Sequence, residues 1–291
     1  MAQMVLRCGV DANVIFLLAL GFQLVLRTSR ALHFAHGLAP AIGAYSAWCV
    51  VSQLGGPLSL GCLCGMFAAG LFGIFVESTV YGPLRRCGGT ARTLLVASIG
   101  VYVVGQNALS IAFGDHAMVM RSSLIAPLNL LGAGATTPQV IILVGGLLIG
   151  GVTHGALTRA AFGLRVRSLA NDCELAGLYG VPTERIVLVT MSFASVIAGF
   201  IGVLMACDGD LSPAMGLNPL LCAMVAALLA ESGRIMALAA SSTAISCAQK
   251  AMGWYLGARW QDTAVFVMLI VCCGLSTTGW LGQKMCRRRS L

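Results

Sequence analysis

Apolar residues along this chain come in continuous blocks of roughly twenty, too long for half-buried strands and without a repeating polar face. An α-helix rises about 1.5 Å per residue, so about 20 apolar residues cross a hydrocarbon core of about 30 Å. The blocks predict spans at 10–26, 32–51, 58–80, 93–113, 138–158, 186–206, 215–230, 235–254 and 262–282. That makes nine spans, or eight if 10–26 and 32–51 form one bent unit. A membrane β-barrel would alternate polarity in segments of about ten residues, which is not the pattern here.

Composition sharpens the class. Of 291 residues, 58% are hydrophobic and only 10% charged, against about 25% charged in soluble domains. The 36 glycines suit helices that approach one another closely in a membrane. The expectation is an all-α polytopic membrane protein, folded as a single transmembrane domain over 1–291. Most connections are short and no soluble domain is inserted; the longer loops are 114–139 and 158–185. Nothing at the N-terminus reads as a cleavable signal.

The net charge of +8 does not point to nucleic acid, because the basic residues cluster between apolar blocks as in cytoplasmic loops. Arg27 and Arg30 follow the first span, and Arg85, Arg86 and Arg92 the third. Arg159, Arg165, Arg167 and Arg185 flank the fifth-to-sixth connection, Arg234 follows the seventh, and Lys284 and Arg287–Arg289 end the chain. The intervening connections hold Asp115, Asp208 and Asp210, with Arg121 and Arg259 as exceptions. This alternation predicts an outside N-terminus and a cytoplasmic C-terminus. The 12 cysteines are scattered through apolar segments without zinc-type pairs and read as reduced packing residues.

Catalytic chemistry is absent from the motifs. There is no phosphate-binding G-x-x-x-x-G-K-[ST] loop, no H-E-x-x-H among the four histidines and no G-x-S-x-G serine. The expectation is a non-enzyme with no cofactor and no metal. Glu77 lies near the inner end of the third span with Arg85 beyond it, which reads as an interfacial ion pair or as a gate contact. Gln106 and Asn107 lie deeper in the fourth span and should face protein or a water-filled path. The stretch "ALHFAHGLAPAIGAYSAW" (31–48) is built from small residues and carries Pro40 four residues after His36. That combination predicts an irregular turn at His36 and Gly37, with Pro40 and Gly43 beside it, close to a solute path.

The loop at 158–185 predicts a short helix over 167–180. Leu175, Leu178 and Tyr179 fall at helical spacing, Asp172 and Glu174 sit near its start, Gly180 suits its end, and Thr183 would cap the next span. Either it is a solvated connector or it docks a cytoplasmic partner.

Here the chain resembles a family. "AFGLRVRSLANDCELAGLYGVPTERI" is similar to the cytoplasmic loop of branched-chain amino acid permeases of ABC importers, through Gly163, Arg167, Asn171 or Asp172, Ala176, Gly180, Val181 and Arg185. "LHFAHGLAPAIGAYSAW", "VESTVYGPLRR" and "LLVASIGVYVVGQN" resemble three further family segments in the same order, and the H-type subunit is the closer subtype. The chain departs from the family pattern at His33, at Gly82, at "LLAESGRIMALAAS" (228–241) and at "STTGWLG" (276–282). The resemblance implies an importer permease working by alternating access, with Arg167, Asn171, Asp172, Glu174, Ala176 and Gly180 on a coupling helix. It also implies cytoplasmic ATPase subunits, a second permease subunit, an extracytoplasmic solute-binding protein and an inner-membrane location. Two other classes are a secondary transporter or facilitator, for which Glu77, Glu231 and Asp262 lie too near span ends, and a non-transporting scaffold.

Overall fold

Long helices run where the apolar blocks predict them, but they are joined by more breaks than the sequence suggests. The computed structural model describes residues 2–120, 127–130, 133–230, 234–261, 263, 265–267 and 270. Helix α1 (Ala2–Ser29) is followed by a 3-10 turn (Phe34–Gly37), then α2 (Leu38–Trp48) with a π-turn (Cys49–Gln53). Helix α3 (Leu58–Val76) continues through a second π-turn (Glu77–Tyr81) into α4 (Gly82–Arg86). Next come α5 (Ala91–Phe113), an antiparallel hairpin of β1 (Pro127–Leu130) and β2 (Ala133–Thr136), and α6 (Thr137–Arg159). The chain goes on through α7 (Ala161–Asn171), α8 (Cys173–Leu178), α9 (Thr183–Asp208), α10 (Leu217–Leu229) and α11 (Ile235–Leu256).

Helices α1 and α9 form the centre. In their most apolar windows 78% and 67% of residues are buried, against 17% in α5 and 22% in α6. The centre is packed through glycine. A Cβ on Gly43 of α2 would lie 2.6 Å from the Gly199 Cα of α9, and one on Gly65 of α3 would lie 2.5 Å from the Gly43 oxygen. A Cβ on Gly202 would lie 2.0 Å from the Pro40 oxygen. Carbon atoms prefer about 3.5–4.0 Å, so only residues without a side chain allow these three helices to cross so closely.

Among the described residues six helical segments are long and apolar enough to cross a membrane: 2–29, 34–53, 58–86, 91–113, 137–159 and 183–208. The expected 215–230 span is instead the 13-residue α10, about 20 Å long and short of a hydrocarbon core. Helix α11 has 22 residues, long enough to cross, but carries Ser241, Ser242, Thr243, Ser246, Gln249 and Lys250. The span expected at 262–282 falls almost wholly outside the described residues, as do Glu231 and Asp262. The first two spans are separate helices, broken at 30–33.

The single helix expected over 167–180 is two helices. Asp172 leaves helical geometry (φ −150°, ψ 110°) and its Oδ1 accepts from the Leu175 backbone N–H at 3.1 Å, capping α8. An Asp at this position ends one helix by starting another. Gly180 has φ +77°, with its N–H to the Gly177 oxygen and the Val181 N–H to the Ala176 oxygen, a left-handed cap that closes α8. Thr183 is the first residue of α9, whose cap position is occupied by Pro182 and receives no side-chain hydrogen bond.

Candidate functional site

The segment between α6 and α9 has an inner and an outer face. Gly163 makes the α6–α7 corner possible, since a Cβ there would lie 2.3 Å from the Leu157 oxygen. Val166, Leu169 and Ala176 are buried against the bundle. Leu175, Leu178 and Tyr179, by contrast, are 51%, 81% and 82% exposed at the end of α8. Arg167, Asn171 and Asp172 are also exposed, while Ala176 at 5% faces inward and lies off the outward surface. Backbone alone can be stated for Glu174, which falls in the first turn of α8.

One hydrogen bond ties this segment to α1, and an ion pair braces the start of the helix that follows it. The Arg30 guanidinium, just past α1, donates to the Asn171 carbonyl at 2.9 Å. Arg86, ending α4, grips the Glu184 carboxylate in the first turn of α9 with two hydrogen bonds, 3.0 and 2.7 Å. The ends of α1, α4, α7 and α9 therefore meet on one side of the bundle, where the basic residues of the sequence also gather.

A second set of polar groups is buried among apolar helices. His36 is 1% exposed, against Gly21 and Ala194, and neither ring nitrogen reaches a hydrogen-bond partner. His33 is 3% exposed and its Nδ1 lies 2.7 Å from the Tyr81 hydroxyl. Glu77 is 3% exposed and pairs with the partly exposed Arg85, the two residues read from the sequence as an interfacial ion pair or a gate contact. The second π-turn (Glu77–Tyr81) carries both Glu77 and Tyr81, and π-turns interrupt helices mostly where a special local geometry is needed.

Gly37, Pro40 and Gly43 lie beside His36 on the buried side of α2. The Gly37 backbone abuts Gly216: a Cβ on Gly216 would be 2.0 Å from the Gly37 oxygen. No room for solute lies along that contact. Gln106 and Asn107 are elsewhere, on α5, where Gln106 is half-buried, Asn107 is exposed and Asn107 Nδ2 donates to the Val103 carbonyl. The expected path residues thus fall into two groups, one packed inside the bundle and one on an outward helix face.

The sequence reading missed three interactions. Asp11 pairs with Lys250 across α1 and α11. Asp208, at the end of α9, accepts from Thr136 Oγ1 at 2.8 Å and from Gln139 Nε2 at 3.0 Å, fixing the hairpin to the bundle. Tyr81 holds His33. The first two join residues far apart in sequence and leave no local signal; Tyr81, four residues after Glu77, could have been found as a buried polar partner on the same helix face.

A family model described as "Branched-chain amino acid transport system / permease component" matches residues 4–273. The "High-affinity branched-chain amino acid transport system permease protein LivH" of Escherichia coli is 25% identical over 282 residues, covering 92% of this chain and 91% of that protein. The permease protein BraD of the corresponding system in Pseudomonas aeruginosa is 26% identical over 286 residues, with the same coverage of each. A solved structure titled "PsaBC from Streptococcus pneumoniae in complex with Fab" aligns over 93% of this chain and 91% of that one, at 13% identity and a TM-score of 0.46, too loose a likeness to carry a conclusion.

Proposed function

The chain belongs to the branched-chain amino acid transport system permease family, and on that premise we propose that it carries a branched-chain amino acid or a related small polar solute. It is a multi-pass inner-membrane protein and the permease subunit of an ABC importer, a transport component and not a member of an enzyme family. Proteins of this family work with ATPase and other transporter subunits.

The finer reading is ours. Residues 1–291 act as one transmembrane domain with a cytoplasmic C-terminus. The segment 167–180 is the coupling element, with Arg167, Asn171, Asp172, Glu174 and Gly180 shaping it and Leu175, Leu178 and Tyr179 seated in the ATPase. The observation that carries this is the exposure of those three apolar side chains beyond the spans, since large apolar groups clustered in water mark a docking surface. A second permease subunit covers α5, so that Gln106 and Asn107 line a path between subunits. The solute arrives from an extracytoplasmic binding protein. His36, Gly37, Pro40 and Gly43, with the Glu77–Arg85 pair, form the packed wall that shifts when the cytoplasmic ATPases close.

Coupling requires that ATPase closure favour one arrangement of the helices over another. Arg30 on Asn171 links the docking element to α1, and Arg86 on Glu184 locks the start of α9, which follows it, to α4, so a push on the element is passed to the central helices.

The test is co-purification of the ATPase subunit with the full chain in mild detergent. Wild type retains it, while Leu178→Glu and Tyr179→Glu release it without altering the thermal stability of the permease, because both side chains are exposed. A wild type that binds no ATPase, or variants that keep it, would refute the docking assignment.

A further inference from the structure

A groove of about 380 Å³ runs between α1, α6 and α11. Its floor is apolar and shallow-sided: Ala12 and Phe16 from α1, Gly146, Gly150 and Gly151 from α6, and Ile235 and Ala239 from α11. Its lining holds no carboxylate and no ammonium group, and its polar members are Asn13, Thr243 and His154. From Gly146 to His154 it follows α6 for about 12 Å, close to the ~15 Å half-thickness of a hydrocarbon core.

The ends of the groove differ. Gly146 lies mid-helix, packed against the neutral Asn13 side chain of α1. The other end meets the α6 terminus and the α11 start, where His154, Arg159 and Arg234 are all exposed. Arg234 immediately precedes Ile235 in the lining, and Arg159 lies about 7.5 Å beyond His154 along α6. A long apolar channel of one leaflet's depth that ends in cationic side chains is complementary to one kind of molecule.

We propose that this groove binds an anionic phospholipid, with an acyl chain along Gly146–Gly151 and the phosphate held by Arg234 and Arg159. In the proposed orientation the headgroup lies in the cytoplasmic leaflet, where anionic lipid and juxtamembrane arginine attract one another. The bound lipid wedges α11 against α1 and fills space that a side chain would otherwise take. Among the groove glycines, Gly151 shows this most directly: a Cβ there would meet nothing within 4 Å.

The experiment is native mass spectrometry of the full chain in detergent, titrated with phosphatidylglycerol or phosphatidylcholine of the same acyl composition. Wild type retains phosphatidylglycerol more tightly, by about five-fold per contributing arginine. Gly151→Leu, and Ala239→Phe from the opposite wall, lower retention of both lipids, while Arg234→Gln keeps phosphatidylcholine binding and cuts the preference for phosphatidylglycerol about five-fold. Gly100→Leu, an open position on α5 outside the groove, leaves retention as in wild type. Equal retention of the two lipids by wild type, unchanged retention in both groove-filling variants, or a self-associated form that buries this face and excludes lipid would each overturn the proposal.

Discussion

Removing Arg85 should destabilise the protein more than removing the charge it pairs with. Glu77 is the deeper partner, with 4% of its side chain exposed against 27% for Arg85. Arg85→Met leaves a carboxylate stranded among apolar helices, and stranding one member of a buried pair costs about 3–5 kcal/mol. Water reaches Arg85, which brings the expectation to about 2–4 kcal/mol. Glu77→Gln leaves the arginine instead, and its long stem can carry the guanidinium outward, so the expected cost is about 1–2 kcal/mol. The pair is also incompletely satisfied, since Glu77 Oε2 and Arg85 Nη1 have no partner. For that reason the double variant Glu77→Gln/Arg85→Met should fall within about 1 kcal/mol of wild type. Equilibrium unfolding in mixed micelles reads all four proteins, and the double-mutant cycle isolates the coupling. A Glu77→Gln variant as unstable as Arg85→Met, or a double variant whose loss equals the sum of the singles, would refute the assignment of Glu77 as the desolvated partner.

Three further expectations follow from close contacts. Gly43→Ala drives a Cβ to 2.6 Å from the Gly199 Cα and should cost about 1–3 kcal/mol, whereas Gly100→Ala, which meets nothing, should hold or raise the melting temperature; thermal scans in detergent that rank them the other way would count against the glycine crossing. Tyr81→Phe strands the His33 ring nitrogen now 2.7 Å away and should lose about 1–3 kcal/mol, a loss largely absent when His33→Leu is already present. Asp208→Ala removes the acceptor for Thr136 and Gln139, so hydrogen exchange of β2 and the first turn of α6 should quicken while α1 and α9 stay protected; uniform exchange across all of them would argue that Asp208 supports the whole bundle.

The parts of this fold that sequence can show are those set by solvent. Membrane helices are apolar on every side, so their positions stand out in the hydropathy pattern and the six long spans lie where the blocks put them. The segment proposed to dock the ATPase was legible for another reason: Leu175, Leu178 and Tyr179 keep helical spacing in a loop that is rich in charge. Its break at Asp172 was not, because the residue that caps α8 sits within one continuous helical pattern and only the backbone geometry shows the stop. Burial of Glu77 was equally hidden. Its sequence neighbours place it near a span end, and what encloses it is the packing of α5 and α9 against the π-turn that carries it.

The two short helices pose the more general case. Helix α2 begins Gly37-Leu38-Ala39-Pro40 and helix α10 begins Gly216-Leu217-Asn218-Pro219, the same G-L-x-P signature at two points of the chain. In each, glycine takes the cap position in right-handed helical geometry and proline takes the third helical place, where no intrahelical donor is lost. The two glycines then touch, the Gly37 oxygen lying where a Gly216 side chain would begin. One signature therefore does two things: proline sits in the first turn where it costs no helix bond, and glycine lets two such starts meet. Read singly, each proline looks like a kink inside a full span, which is why 215–230 read as a complete crossing. Read as a pair, they mark two helix starts held together by backbone contact, since any side chain on Gly216 would meet the Gly37 oxygen.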